Sequence, residues 1–294
     1  MRANLNGVIV FLFYLVTMAV GSLTIIATSW NELQLFVGII FISLIFFMLI
    51  NIKNLGVCVH ALFKTPGLSI KMCISLCFMI LPIFYTQKHG VSTVFYSLMF
   101  SIVIAGLGLF FTKKYLGMLV QLILMVVLIT YDKHDVYHYL TILGPIGGYT
   151  MLRNARKIAD ANNMNVSQLM CLRYIILGFV GLILCPFLNF HLGMLHFTDI
   201  YKVLLIAFFM NIIPIYCSQY IALKMSPNFL SQGISLLPFT TFLIAYMFYG
   251  QTLNKIELIY SMFITIPLIW ELGQYYLSNA RSNFFISNRV LYAR

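Results

Sequence analysis

Apolar positions in this chain neither alternate nor keep to one helical face; they run on without interruption. Ten such runs, most of 17 to 25 residues, are parted by short polar breaks that carry nearly all of the charge. About 20 apolar residues carry an α-helix across a hydrocarbon layer of ~30 Å. In that layer each backbone polar group needs an internal partner, so the helix is the element these runs predict. The predicted spans are 8–28, 33–50, 68–87, 91–111 and 115–131, then 136–152, 167–187, 200–223, 228–249 and 256–277. The longest connections, 51–67, 153–166 and 188–199, leave room for an amphipathic turn or two. The first run follows a single Arg and has the look of a signal peptide, but it exceeds the ~7–15 residues of such an apolar segment. It is read as a span.

Composition agrees with a polytopic membrane protein. The chain is 62% hydrophobic and 9% charged, with a mean hydropathy of +0.96, against about 25% charged in a soluble domain. Its 18 basic and 7 acidic side chains could not cover so apolar a core in water. With ten spans, both termini and the even-numbered loops share one side. Thirteen basic residues fall there, among them Lys53, Lys64, Lys113, Lys114, Arg153, Arg156, Lys157 and Lys224. The other side has Lys88, Lys133, Lys202 and Lys255, with most of the acids. Basic residues gather on cytoplasmic loops, so both termini are expected on the cytoplasmic side of a cell membrane. The net charge of +11 is then an orientation signal with some attraction to anionic headgroups, and calls for no nucleic acid.

Five spans per half mean that two related halves insert with opposite topology, the plan of many secondary transporters. The expected fold is all-α: ten transmembrane helices as two inverted five-helix repeats, 1–132 and 133–277, followed by a cytoplasmic tail, 278–294. Residues 109–116 close the fourth span and open the fifth, and 247–254 do the same for the ninth and tenth about 138 positions later. The second half then reads Arg153-Asn154-Ala155-Arg156-Lys157, Asn162-Asn163-Met164-Asn165-Val166-Ser167, Leu172-Arg173-Tyr174 and Ala222-Leu223-Lys224-Met225-Ser226-Pro227. In these motifs the chain resembles the EamA-type drug/metabolite transporter superfamily. That family usually closes its ninth helix with Leu-Gly-Glu-x-Leu; here the turn is Tyr249-Gly250-Gln251-Thr252-Leu253, with Gln251 in the Glu position. The resemblance implies ten helices around a central substrate site and no cofactor.

Chemistry inside the spans is sparse. Arg173 is the one basic residue well inside a run, where a central Arg costs ~2.5–3.5 kcal/mol on insertion scales. Either it anchors a carboxylate or phosphate of a substrate, or it snorkels to the cytoplasmic headgroups; snorkelling is the favoured expectation. Glu271 lies near the end of the last span, and no acid lies near a midplane. Uncharged polar residues are the better pocket candidates: Tyr14, Thr17, Tyr96, Ser101, Tyr149, Thr150, Asn211, Tyr216, Gln219, Gln232, Ser235 and Thr240. A buried amide needs a partner in hydrocarbon, so each of these either meets substrate or ties helices together. Pro82, Pro145, Pro214, Pro238 and Pro267 interrupt five spans, and Gly144-Pro145-Ile146-Gly147-Gly148 suits close helix approach.

Other patterns carry less. His134 and His138, flanked by Asp132 and Asp135, have a metal-ligand spacing but read as solvated loop residues, and the six cysteines set no disulfide framework. Motifs of nucleotide-binding, serine-hydrolase or zinc-protease type do not occur. Two function classes remain. The favoured one is a secondary transporter of a small organic metabolite, amino-acid-like or nucleoside-derived, working as a monomer or homodimer in the bilayer without cofactor or metal. The alternative is a membrane-embedded enzyme such as a lipid-linked transferase, with the basic loop at Arg153, Arg156 and Lys157 as its phosphate site.

Overall fold

A computed structural model of the chain describes residues 5–25, 30–89, 92–131, 139–188, 197–224, 230–231, 233–250, 255 and 258–266. All regular structure among them is helical, in eleven α-helices. These are α1 (Leu5–Thr24), α2 (Glu32–Ile50), α3 (Leu55–Lys64), α4 (Pro66–Lys88), α5 (Thr93–Phe111) and α6 (Tyr115–Tyr131). They continue with α7 (Leu143–Asn162), α8 (Val166–Leu184), α9 (Phe197–Ile206), α10 (Ile213–Lys224) and α11 (Leu237–Tyr249). A π-helical segment, Ala207–Ile212, joins α9 to α10 in one continuous rod. Among the described residues six helices are long and apolar enough to cross a membrane, and the protein is a membrane-embedded all-α bundle.

Three elements differ from the expectation. The connection 51–67 forms α3, nearly three turns, instead of one or two. Its apolar side chains Val57, Val59 and Phe63 stay exposed while Cys58 and Ala61 pack inward, as in a helix lying along a bilayer surface. The sixth span does not stop at residue 152: α7 begins at Leu143 and runs on through the basic segment to Asn162. Ala155, Ile158 and Ala159 are buried there, at the i, i+3, i+4 spacing of an amphipathic helix. The π segment in the eighth span had no forewarning beyond Pro214.

Helices pack mainly across the middle of the sequence. α4 crosses α7, α2 lies along α8, and α1 packs on α10, the π segment and α11. α5 sits between α6, α7 and α11. Two glycines allow the tightest crossings: a Cβ on Gly147 would strike the α4 backbone at Ser75 and Met79, and one on Gly21 would strike the backbone of Met210. A second core unites α5, α6, α11 and the helical residues 258–266 through Phe95, Leu98, Met99, Leu128, Phe242 and Ile264. Along α5 and α11 the seam is polar, with Ser97 Oγ 3.1 Å from Thr241 Oγ1 and Ser101 Oγ donating to Ile234 O at 2.9 Å.

Local structure recurs at a near-constant interval. Asn31 caps α2 and Asn165 caps α8, each in a reciprocal box with a Gln three residues on, Gln34 and Gln168. Lys113 and Gly250 end α5 and α11 in left-handed conformation, both at φ 61°. Each box supplies partners for backbone N–H groups that a helix start otherwise leaves open. Replacing Asn31 or Asn165 by Ala is expected to cost about 1 kcal/mol. Thermal unfolding in detergent should register similar losses for both, whereas Asn54→Ala, whose side chain caps nothing, should leave the midpoint in place.

Candidate functional site

The two ends of the bundle are held differently. At one end Lys64 Nζ donates to Ala161 O at 3.2 Å, Asn162 Nδ2 to Thr65 Oγ1 at 3.2 Å, and Arg156 to Ala222 O at 3.4 Å. Arg156 also lies 3.9 Å from Asp160. At the other, Glu32 lies 3.8 Å from His89 and Asp199 3.8 Å from Lys202. Burial holds the Lys88 ammonium below its ordinary value there, with Glu32 and Asp199 opposing.

Between these ends, α2 and α8 are tied so that their inner faces meet. The Asn51 amide donates to Phe47 O at 2.9 Å and to Ser167 Oγ at 2.7 Å. Phe47 stacks on Tyr174 at 5.5 Å with a 2° interplanar angle. This clamp sets Arg173, seven residues into α8 and so about 10 Å from its start, deep in the bundle where α8 packs on α2 and α4. Arg173 is fully buried and does not snorkel, because helices cover it on every side. Its guanidinium has one weak contact, Nη2 to Met72 Sδ at 3.9 Å. Nε and Nη1 have no hydrogen-bond partner. Cys73 on α4 donates its thiol to Arg173 O at 3.7 Å.

Beside it Asn211 Nδ2 donates to Ser43 Oγ at 2.8 Å, leaving Asn211 Oδ1 unpartnered. The Tyr174 hydroxyl lies next to Ser43 and Asn211 without completing a hydrogen bond to either. The π segment matters here: its wider turn presents Asn211 to α2. A cluster of one cation and several open hydrogen-bonding atoms thus sits in an apolar interior, where an unmet polar group costs about 1–3 kcal/mol and a charge more. Such a cluster can receive an anion with further polar groups.

The other candidates fall into separate places. Tyr14 and Tyr96 are close enough to interact, with Cys217 beside Tyr14; the buried Tyr96 hydroxyl has no partner. Gln219 is fully buried with both amide atoms unpartnered. Tyr149 stacks on Phe111 at 5.2 Å, and Arg153 covers the same ring at 4.1 Å. Thr240 donates to Leu236 O of its own turn, Thr17 to Phe13 O and Thr150 to Ile146 O. Tyr216 is exposed, and Ser101 ties α5 to Ile234. Gln232, His134, His138, Gln251 and Glu271 lie outside the described residues. Among the described residues no group of three His, Cys, Asp or Glu gathers to hold a metal, and all six cysteines are free.

Tyr14 and Tyr96, expected to line a central space, are both buried among the helices. Cavities are found at two other places among the described residues. One of about 740 Å³ runs along α4 between α2 and α8, lined by Ile70, Cys73, Cys77, Leu81 and Ile176 among others. One of about 670 Å³ opens at the basic end, lined by Asp160, Asn165, Tyr216, Tyr220 and Lys224. Sequence reasoning missed Ser43, Met72, Cys73 and Tyr174; adjacency to Arg173 was a usable signal for Tyr174 alone. No protein-family model matches the chain, and no curated protein matches it.

Proposed function

We propose that the protein is a secondary transporter of the EamA-like drug/metabolite type, moving a small organic anion or zwitterion by alternating access between two inverted five-helix repeats. The observation that carries this reading is Arg173, a fully buried cation with two unpartnered nitrogens. A permanent structural charge of this kind would be costly without a counter-ion, whereas a carrier needs a site left open until its substrate fills it. The amide and hydroxyl of Asn211 and Tyr174 supply donors and acceptors for the remainder of an amino-acid-like or nucleoside-derived molecule. Tyr14, Tyr96, Gln219, Tyr149 and Thr240 stand on helices of the same bundle and extend the path in this reading, with Gln232 a further candidate from the sequence.

The repeat reading draws on exchanged packing. Under inversion the third helix of one half meets the first of the other, and the pair α4–α7 has its counterpart in the eighth span on α1. Gly147 against Ser75 and Met79 matches Gly21 against Met210. The twin capping boxes recur 134 residues apart, and the left-handed ends at Lys113 and Gly250 137 apart. Both third spans contain an internal proline, Pro82 and Pro214.

Topology is tested by labelling single cysteines in an otherwise cysteine-free chain. A membrane-impermeant maleimide should reach Ser29→Cys and Asn189→Cys from outside, and Asn54→Cys and Asp160→Cys only after permeabilisation. Outside labelling at Asp160 would sink both the orientation and the inverted repeat. Transport itself is tested by thermal shift against amino acids, nucleotides and nucleoside-derived anions, followed by uptake into proteoliposomes of whichever stabilises. A chain that no anion stabilises, and whose Arg173→Gln form takes up every tested solute like the native one, is not the carrier described here.

A further inference from the structure

The groove along α4 is almost wholly apolar. Its α4 wall is the stripe Ile70, Cys73, Ile74, Cys77, Phe78, Leu81 and Tyr85, and its α8 wall is Ile176 and Val180. From Ile70 to Tyr85 is fifteen residues, about 22 Å of helix, enough for a hydrocarbon chain that fills half of a ~30 Å core. The stripe on α8 does not end at Ile176. One turn nearer the basic end, at the i−3 position of the same face, stands Arg173. At that level the groove wall is Cys73, whose thiol caps the Arg173 carbonyl, and the adjacent Met72 gives the guanidinium its single weak contact. A groove-lining thiol therefore touches the Arg173 backbone, and the next residue of α4, a flexible thioether, touches the unpaired buried cation.

We propose that the groove is a lateral entrance for a single-chain amphipathic anion, whose phosphate or carboxylate head pairs with Arg173 while its hydrocarbon chain lies between α4 and α8. This rests on the transporter reading and narrows its substrate class. Two features of the site select the ligand. The cation rejects a cationic head of equal chain length, since like charges in so dry a setting repel strongly. The groove adds affinity for each methylene it covers. Met is suited to the gate because its three rotatable bonds let it swing without strain on the backbone.

The probes are hexadecyl phosphate and hexadecyltrimethylammonium, each at the same mole fraction in nanodiscs of zwitterionic phosphatidylcholine. The readout is the alkylation rate of Cys77, a groove-lining thiol, by a lipid-soluble maleimide in a chain whose other five cysteines are alanine. Hexadecyl phosphate is expected to slow alkylation at least fivefold and the ammonium less than twofold; equal protection by both overturns the proposal without recourse to any further variant. Arg173→Gln in the same background should lose the protection by phosphate, and retained protection would place the head elsewhere and overturn the proposal too. Direct binding of hexadecyl phosphate to the native chain and to Ile74→Trp, which fills the groove but leaves Arg173 in place, should differ at least tenfold; equal binding refutes the groove. Should these fail while Arg173→Gln still abolishes uptake of short soluble anions, the entrance is wrong and the transporter stands. Should Arg173→Gln leave uptake of every anion untouched, the transporter reading itself falls.

Discussion

Arg173→Met is expected to make the ligand-free protein more stable and to weaken its binding of anions. The native side chain is buried with two nitrogens unpartnered; replacing even a buried ion pair by apolar groups of similar volume is often neutral or stabilising by about 1–4 kcal/mol, and an unpaired charge has no pairing energy to lose. Chemical unfolding in detergent should therefore move to higher denaturant. Anion affinity should fall about 10- to 100-fold, the ~1.5–3 kcal/mol of a hydrogen bond to a charged group. Arg173→Lys should fall between, since an ammonium keeps the charge but not the planar fork. An arginine that served only to hold α8 in place would behave in the opposite way, losing stability and leaving affinity alone. Unfolding curves and binding isotherms on the three proteins, at matched folded concentration, separate the two.

The second large effect is expected at the crossing glycines. A side chain on Gly147 meets the α4 backbone, and one on Gly21 meets the backbone of the π segment. Backbone atoms cannot swing aside as a side-chain tip can, so Gly147→Val and Gly21→Val should each cost at least the ~1–3 kcal/mol of an overpacked core. Gly56→Ala and Gly67→Ala, with open space around them, serve as controls and should cost a fraction of that. The yield of folded protein and its melting temperature check both. Similar losses at Gly147 and Gly21 fit equivalent crossings in two related halves; a harmless Gly21→Val would separate them.

The bundle was legible in the sequence wherever apolarity and length coincide. Residues 33–50, 91–111 and 115–131 fold within a few residues of the reading, because a run that must satisfy its backbone in hydrocarbon has one local solution. Where the helix outlasts the membrane, apolarity stops being the signal. α7 continues through Arg153, Arg156 and Lys157 because Ala155, Ile158 and Ala159 still find partners on one face. α3 reads in the sequence as no more than an amphipathic turn or two, because ten residues are too few to span. The site was half legible: Arg173 stood out as a charge inside a run, but its burial depends on helices 100 residues distant in sequence. Ser43 and Cys73 look like ordinary small residues until α2 and α4 are laid against α8. The π segment is a matter of register within one helix, and no spacing in Ala207–Ile212 announces it.

That segment bears on how a carrier built from mirrored parts would rest. Two strictly equivalent halves would make the state open to one side and the state open to the other equal in energy, each populated half of the time. In the proposed repeat the widened turn at Ala207–Ile212 falls in the eighth span, whereas α4, its counterpart in the first half, is unbroken α-helix. Arg173 likewise falls opposite Ile39 when the two capping boxes are aligned. Each feature belongs to one half only, so each weighs on one side of the balance. A difference of 1.4 kcal/mol between the two states already gives a ratio of about ten to one, and the empty protein would wait facing a preferred compartment.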